Sequence, residues 1–419
     1  MTKSQHIIII GNGMAGHRLV EQLQTKQAHC TVSIFSAEPG PSYNRILISA
    51  WLAGDCSQAD LYSSTSPTAG VRYIDRSIVA IHREERSVQD DTGARHHYDQ
   101  LVLATGSTPI LLSLPGDHLA GVQPLRSAAD ARSLIDRALP GQPAVVIGGG
   151  LLGLEAAWGL HQRGMKVTIL HRMPVLMERQ LDALASGIIT RHLQRAGIQV
   201  VMEADLVAYE GDDKLTHARL RDGSVIDASL AVVSIGTRPN VQLAKDAGLL
   251  VNRGVQVGDD LRTSDANIFA IGECAEHRGI CYGLVDPCFA QAEVCAQQLL
   301  HTSDETTYTG SQLATRLKVS GIELFAAGEC TWARDDARPE VEFITVEDDG
   351  GVYRKLVVHG GNIVGALLLG DAHGAAWYTD LMRSGARVDS DVAFNAGMER
   401  RALIFGPEFS AAVAARRAA

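Results

Sequence analysis

The sequence predicts an α/β fold built from two three-layer, doubly wound domains and a smaller α+β domain towards the C-terminal end. Three observations predict it. The apolar run Ile7-Ile8-Ile9-Ile10 enters the turn Gly11-Asn12-Gly13-Met14-Ala15-Gly16. A second run, Val145-Val146-Ile147, enters Gly148-Gly149-Gly150-Leu151-Leu152-Gly153. Beyond Pro339 the pattern changes to short strand-like runs separated by glycine turns.

The two G-x-G-x-x-G turns share one physical logic. The first glycine permits the tight turn, the second lets the backbone approach a pyrophosphate, and the third lets helix and strand pack closely. The helix that follows offers unpaired N–H groups and the positive end of its dipole to the phosphates. Either turn alone is also what an α/β fold without a ligand can contain. Two of them, each with a strand before and helical spacing after, imply two dinucleotides on one chain. That is the arrangement needed to pass a hydride from one cofactor to another.

With 419 residues, the chain is too long for one ordinary core, so two or three domains are expected. Apolar residues make up 46% and charged residues 21%, the balance of a soluble globular enzyme rather than a disordered chain. No apolar run approaches the roughly 18 residues of a membrane span. The N-terminus passes from Lys3 into the first strand without a cleavable signal pattern. No membrane partner and a cytoplasmic location are therefore expected. The net charge of −10 argues against a nucleic-acid partner, which would call for a basic face.

The seven cysteines include no C-x-x-C pair, so close zinc or iron–sulfur spacing is missing and no metal site is expected. Their odd number disfavours a disulfide framework. Cys274, Cys281, Cys288 and Cys295 recur every seven residues. Gly279, Gly283 and Pro287 are expected to interrupt any continuous helix and keep the four off one face.

Along the chain, Val32-Ser33-Ile34-Phe35 reads as the second strand, with Glu38 just beyond it, where a carboxylate can accept hydrogen bonds from a ribose diol. Leu101 to Pro109, with Ala104-Thr105-Gly106 inside it, reads as a buried strand ending in a glycine turn and a proline. Leu154, Ala157, Trp158 and Leu160 give helical spacing after the second fingerprint, and Lys166–Leu170 is the next strand. Leu230–Ile235 is a strand closed by the turn Gly236-Thr237-Arg238-Pro239-Asn240. Thr263 to Glu273 reads as a strand ending in Gly272 and Glu273, a carboxylate at the carboxyl end where ligands of open sheets lie. Glu342–Val346, Tyr353–Val358 and Ile363–Leu369 form an antiparallel meander with turns at Asp348–Gly351 and His359–Asn362. Helical spacing with Trp377, Leu381 and Met382 follows, and Ala411–Ala419 is expected to fray.

Taken in order, four pieces resemble the FAD-dependent pyridine-nucleotide oxidoreductases of the glutathione-reductase superfamily: the first fingerprint with Glu38; Ala104-Thr105-Gly106; the second fingerprint extended to Glu155; and Thr263-Ser264 through Ile268-Phe269-Ala270 to Gly272-Glu273. Tyr43-Asn44-Arg45, Gly272 to Gly279, Tyr282 to Val285, Tyr308 to Ser311 and Leu317 to Gly321 further resemble the flavoprotein module of assimilatory nitrite reductase large subunits and nitrate reductase electron-transfer subunits. The resemblance implies a Rossmann-like FAD-binding domain split over residues 1–112 and 251–305. An inserted NAD(P)H-binding domain would cover 113–250, a C-terminal α+β interface domain 306–405, and a tail 406–419. It also implies NADH-driven electron transfer through FAD to a separate redox partner. That partner would be a nitrate or nitrite reductase catalytic subunit, or a small iron–sulfur protein.

By the same resemblance, Gly11, Gly13, Met14, Ala15, Gly16, Glu38, Arg45, Ala104, Thr105, Gly106, Gly272 and Glu273 would hold FAD. Arg45 would meet its phosphates or ribitol, and Glu273 a ribitol hydroxyl. Gly148, Gly150, Leu151, Leu152, Gly153, His171, Arg172 and Gly236 would hold the nicotinamide nucleotide, with Glu155 near the nicotinamide. Glu155 is equally readable as an acid stabilised by a helix N-terminus. His171-Arg172 stands where an NADH site usually has an acid. Arg172 can pair with a 2′-phosphate, so NADPH stays open while the family favours NADH. No protein nucleophile or base is required.

The departures from the family pattern carry information. Full-length nitrite reductase subunits continue into cysteine-rich iron–sulfur and sirohaem domains, so this chain is not expected to reduce nitrite alone. Leu47-Ile48-Ser49-Ala50 lacks the lysine usual in ferredoxin and rubredoxin reductases. Cys30 and Cys56 fall outside the segment where disulfide reductases and single-cysteine peroxidases keep redox cysteines. A rubredoxin- or ferredoxin-type reductase and a redox-sensing NAD(H)-binding flavoprotein remain as alternatives. The interface domain admits a homodimer by analogy alone.

Overall fold

The computed structural model describes residues 5–26, 30–62, 70–300, 306–319, 321–332, 341–347 and 352–385. The turn expected at Asp348–Gly351 and the tail lie outside these residues.

Two five-stranded parallel sheets dominate. The first runs in the order Ile268–Ala270, Gln100–Leu103, Gln5–Ile10, Cys30–Phe35, Val71–Ile74. The second runs Gln199–Val201, Lys166–Leu170, Pro143–Ile147, Leu230–Val233, Val122–Pro124. A parallel strand covered on both faces needs apolar residues at every position rather than at alternate ones. Ile7 and Ile9 pack on one face of the first sheet, against the helices Met14–Thr25 and Val285–Leu300. Ile8 and Ile10 pack on the other face, against the antiparallel hairpin segment around Ile81 and Val88. Complete burial stabilises each such side chain by about 1.5–3 kcal/mol. In the second sheet, Ala144 and Val146 face one cluster and Val145 and Ile147 the other.

The strand in Leu101–Pro109 ends in a glycine turn as expected, and a second short strand, which the sequence did not suggest, follows the turn. The strand Gln100–Leu103 stops at Ala104, and Gly106 takes φ +66°, a conformation that favours glycine. Ser107–Pro109 then pairs antiparallel with Thr237–Pro239, where the sequence suggested only a turn. This two-stranded ribbon carries the chain out to the second sheet and back. The strand Ile268–Ala270 is likewise shorter than its sequence pattern and gives way to a 3-10 turn at Gly272–Cys274.

The C-terminal unit is a five-stranded antiparallel sheet in the order Ala314–Val319, Ile322–Gly328, Asn362–Leu369, Tyr353–His359, Val341–Glu347, with the helix Ala375–Ser384 against it. Its three later strands are those of the expected meander. The first two join it in the same sheet. One core cluster runs from this sheet, through Leu317, Leu324, Leu367 and Leu369, to the helix Ile48–Ala53 and the inner face of the second parallel sheet.

The helix Val285–Leu300 corrects one expectation. Pro287 does not interrupt it but sits in its first turn, where no i−4 acceptor is required. Cys288 and Cys295, two turns apart, therefore share one helix and are both buried.

Candidate functional site

The two glycine turns are close conformational copies. Gly11 and Gly148 have φ +115° and +109°, and a Cβ on either would come within 2.1 Å of a carbonyl oxygen, that of Ala104 or Ser234. A Cβ on Gly16 or Gly153 would lie 2.0 Å from the carbonyl of Gly11 or Gly148. The middle glycines, Gly13 and Gly150, are the N-caps of the helices Met14–Thr25 and Leu151–Gln162, with φ −80° and −81°. Neither helix start receives a side-chain cap. Space opens where a Cβ would stand on Gly150, and on Gly13 the nearest atom is Arg45 Nε at 4.0 Å. Each turn is thus a cradle closed by backbone on two sides and open at the helix N-terminus.

Around the first cradle the structure gathers a polar network. The Arg45 guanidinium pairs with the Glu38 carboxylate and lies over the Tyr43 ring, 4.8 Å from its centroid. The Tyr43 hydroxyl donates to Glu38 and accepts from the Ala128 N–H at 3.1 Å. Burial is the main reason its pKa is pushed up. Arg45 also donates to the Arg126 carbonyl at 3.2 Å. Arg126 in turn pairs with Glu273, and its guanidinium donates to Ser107 Oγ at 3.1 Å. Gly272, at φ +78°, donates its N–H to Gln291 Oε1 at 2.7 Å. A Cβ there would come within 2.8 Å of the Ala15 Cβ, so the Gly272 turn lies directly on the fingerprint helix. Thr105 Oγ1 donates to the Asn240 carbonyl at 2.8 Å, and Asn240 Nδ2 donates to the Thr105 carbonyl at 2.8 Å. Gly236, at φ +109°, accepts from the Ile110 N–H at 3.0 Å. Asn12 Oδ1 is buried with no partner among the described residues.

Arg126 and Tyr43 are the residues that sequence reasoning under-read. Arg126 belongs to the segment of the second domain, yet reaches Glu273. Its signal was faint: an arginine immediately before Ser127, which caps the helix Ala128–Arg137 in a reciprocal box with Asp130.

At the second cradle, Gly149 is held on three sides. Its N–H donates to His171 Nδ1 at 3.0 Å, its carbonyl accepts from Met177 N–H at 2.9 Å, and a Cβ would meet Leu176 at 2.3 Å. The His171 ring is buried, and Nε2 donates to the Val175 carbonyl at 2.9 Å. Arg172 is exposed. It adds to the hold of Arg221, the larger cause, in keeping Asp205 below the usual carboxylate range. Leu151 packs against the core, whereas Leu152 is 43% exposed.

The helix from the second cradle crosses the helix Ile48–Ala53 of the first unit closely, since a Cβ on Gly159 would fall 2.8 Å from Leu52. Glu155 lies in this crossing, where Ser49 hydrogen-bonds its carboxyl. Burial outweighs that bond and raises the Glu155 pKa. All seven cysteines are free thiols, and burial raises the pKa of each, Cys288 to about 12 and Cys330 to about 11. Thiols so shifted are poor nucleophiles at neutral pH.

The donor set fits dinucleotides. Two helix starts, two arginines and flanking carboxylates match pyrophosphates and ribose hydroxyls in type and number. Among the described residues no helix is long and apolar enough to cross a membrane.

Comparison with known proteins agrees with this reading. Residues 5–298 match the family described as pyridine nucleotide-disulphide oxidoreductase, and residues 314–386 match the rubredoxin NAD+ reductase C-terminal domain. The chain is 40% identical over 380 residues to nitrite reductase [NAD(P)H] of Bacillus subtilis (strain 168), covering 89% of this chain and 46% of that protein. It is 36% identical over 374 residues to the assimilatory nitrate reductase electron transfer subunit of the same organism, covering 88% and 48%. The chain thus spans about half the length of these curated relatives. A covalent putidaredoxin reductase–putidaredoxin complex shares the fold, with TM-score 0.85, 22% identity, and coverage of 95% of this chain and 97% of the other. With two matched cradles and a rubredoxin-reductase-type C-terminal sheet, the chain belongs to the pyridine nucleotide-disulphide oxidoreductase family, as an NAD(P)H oxidoreductase that uses FAD.

Proposed function

We propose that this chain passes electrons from NADH, through FAD, to the catalytic subunit of an assimilatory nitrate or nitrite reductase, in the cytoplasm. The observation that carries the reading is the pairing of two like cradles, with the helix of the second crossing the Ile48–Ala53 helix of the first at Gly159 and Leu52.

When bound, the nicotinamide and the flavin supply the hydride and electron chemistry themselves. The chain's residues bind and orient. The Gly13 and Gly150 helix starts receive the two pyrophosphates on their N–H groups. Arg45 and Arg126 add positive charge beside the first. Glu38 would accept from a ribose diol, and Glu273 from a ribitol hydroxyl. Glu155, at the crossing of the two units, bears on the nicotinamide side. No cysteine takes part, consistent with their raised pKa values.

The match of residues 314–386 to a rubredoxin reductase domain favours a second reading, a reductase for a small iron–sulfur protein. Ser49, in the segment where the lysine of those reductases is usual, weighs against it. Anaerobic stopped-flow reduction by NADH and by NADPH, followed by addition of an oxidised nitrate reductase catalytic subunit, tests the proposal. Rapid flavin bleaching by NADH and reoxidation by that subunit are expected. Bleaching without reoxidation assigns another partner, and no bleaching with either nucleotide refutes the enzyme reading.

A further inference from the structure

We infer that His171 is a positioning residue for nucleotide binding: as a neutral imidazole it fixes the second fingerprint turn through Gly149, and its protonation weakens binding there. The inference rests on the second cradle being the NAD(P)H site.

The last residue before the loop, at the carboxyl end of the strand Lys166–Leu170, is where an acid that grips a ribose is ordinarily placed. Here the side chain at that place turns inward. His171 is 6% exposed, and both ring nitrogens are committed within the chain. A backbone N–H can only donate, so Nδ1 facing Gly149 N–H must be the unprotonated nitrogen. A backbone carbonyl can only accept, so Nε2 facing Val175 carries the hydrogen. The surroundings therefore specify one neutral tautomer.

Gly149 has no freedom of its own to compensate. Leu176 and the imidazole fill the space beside its Cα, and Met177, at φ +50°, donates its N–H to the Gly149 carbonyl. The loop after the strand thus grips the residue between the two glycines that shape the cradle. Among the described residues the first fingerprint has no counterpart. Asn12, at the matching position, leaves its own Oδ1 without a partner among the described residues.

Protonation at Nδ1 would set N–H against N–H across 3.0 Å. Either the ring or the Gly149 peptide must then move, and the neighbouring Gly150 helix start moves with it. The charged and titratable groups around the ring are few. Glu178 on the same loop has a carboxylate oxygen 3.4 Å from Nε2. Arg172 follows in sequence, and Glu203 and Asp205 flank Ala204, whose N–H donates to the His171 carbonyl at 2.9 Å.

The test is calorimetric titration of the oxidised, FAD-loaded protein with ADP-ribose, a probe that carries the pyrophosphate but cannot be reduced, between about pH 5.5 and 8, the span in which imidazoles change charge. Wild-type affinity is expected to fall on the acid side in a one-proton step. His171→Asn, whose amide oxygen can accept from Gly149 without titrating, should lose the acid limb. His171→Leu, with no acceptor, should bind about tenfold more weakly at every pH. FAD content and melting temperature report folding of each variant independently. A flat wild-type profile overturns the inference, whatever the variants do. So does an acid limb retained in a folded His171→Asn protein. Gly153→Ala separates this failure from failure of the site assignment: unchanged ADP-ribose binding in that variant would refute the second cradle as the nucleotide site, and the role of His171 with it.

Discussion

Asp182 ties the second parallel-sheet unit to the C-terminal sheet. Its Oδ1 caps the helix Ala183–Arg195 by accepting from Ala185 N–H at 3.0 Å. Its Oδ2 accepts from Lys355 Nζ at 3.0 Å and from the Tyr353 hydroxyl at 2.8 Å. Lys355 is only 4% exposed and Asp182 18%, so water does little to screen the pair. Asp182→Ala removes a cap worth about 1 kcal/mol. It also takes from a buried ammonium the carboxylate paired with it, which costs up to about 3–5 kcal/mol. The sum of about 4–6 kcal/mol is an upper bound, because Lys355 also donates to the Trp332 carbonyl at 2.6 Å. Asp182→Asn keeps a cap oxygen and isolates the charge. Adding Lys355→Met to Asp182→Ala should recover about 2 kcal/mol or more, since an absent charge needs no partner. A chain with three units need not unfold in one step. The assay is therefore hydrogen exchange under mild denaturant, read on peptides from Ala183–Arg195 and from Tyr353–His359. Additive single and double variants, or a loss below about 0.5 kcal/mol for Asp182→Asn, would refute the argument.

Three further outcomes follow from the same contacts. Arg126→Ala should weaken FAD binding by about 10- to 100-fold, the worth of charge-assisted hydrogen bonds, in a reconstitution titration followed by flavin fluorescence; unchanged affinity would remove Arg126 from the site. Gly272→Ala forces a Cβ to 2.8 Å from the Ala15 Cβ at φ +78° and should cost about 1–3 kcal/mol, seen as a lower melting temperature of the FAD-loaded protein. Burial raises the Glu155 pKa in the folded chain, so this group's contribution is lost as pH rises from the ordinary carboxylate range through the raised value. Glu155→Gln should therefore melt like wild type near pH 4 and at a higher temperature at pH 8, and an equal melting difference at both would contradict the burial argument.

The strands and the two cradles were legible because their causes are local. Ile7 to Ile10 can only be a strand buried on both faces, and Gly11 and Gly16 leave room for no side chain. What escaped depends on partners far along the chain. Ser107–Pro109 is a strand only because Thr237–Pro239 lies beside it, about 130 residues later. Arg126 gains meaning only once Glu273 is brought to it. The inward turn of His171 is set by Gly149 and Val175, and nothing in His171-Arg172 itself announces it. Pro287 was read as a breaker because sequence alone does not say that the helix starts two residues earlier.

The ribbon of Ser107–Pro109 and Thr237–Pro239 has an evolutionary reading. Entry to and exit from the intervening segment lie side by side, so the whole of it hangs from a single stem. A gene fragment for that segment could be exchanged between relatives with two neighbouring junctions and no change to the order of the first sheet. The limit on such grafts lies in the surfaces beyond the stem, above all Gly159 against Leu52 and Asp182 against Lys355. Donor specificity could then be inherited as a cassette, while the flavin-holding scaffold and the acceptor it serves stay in place.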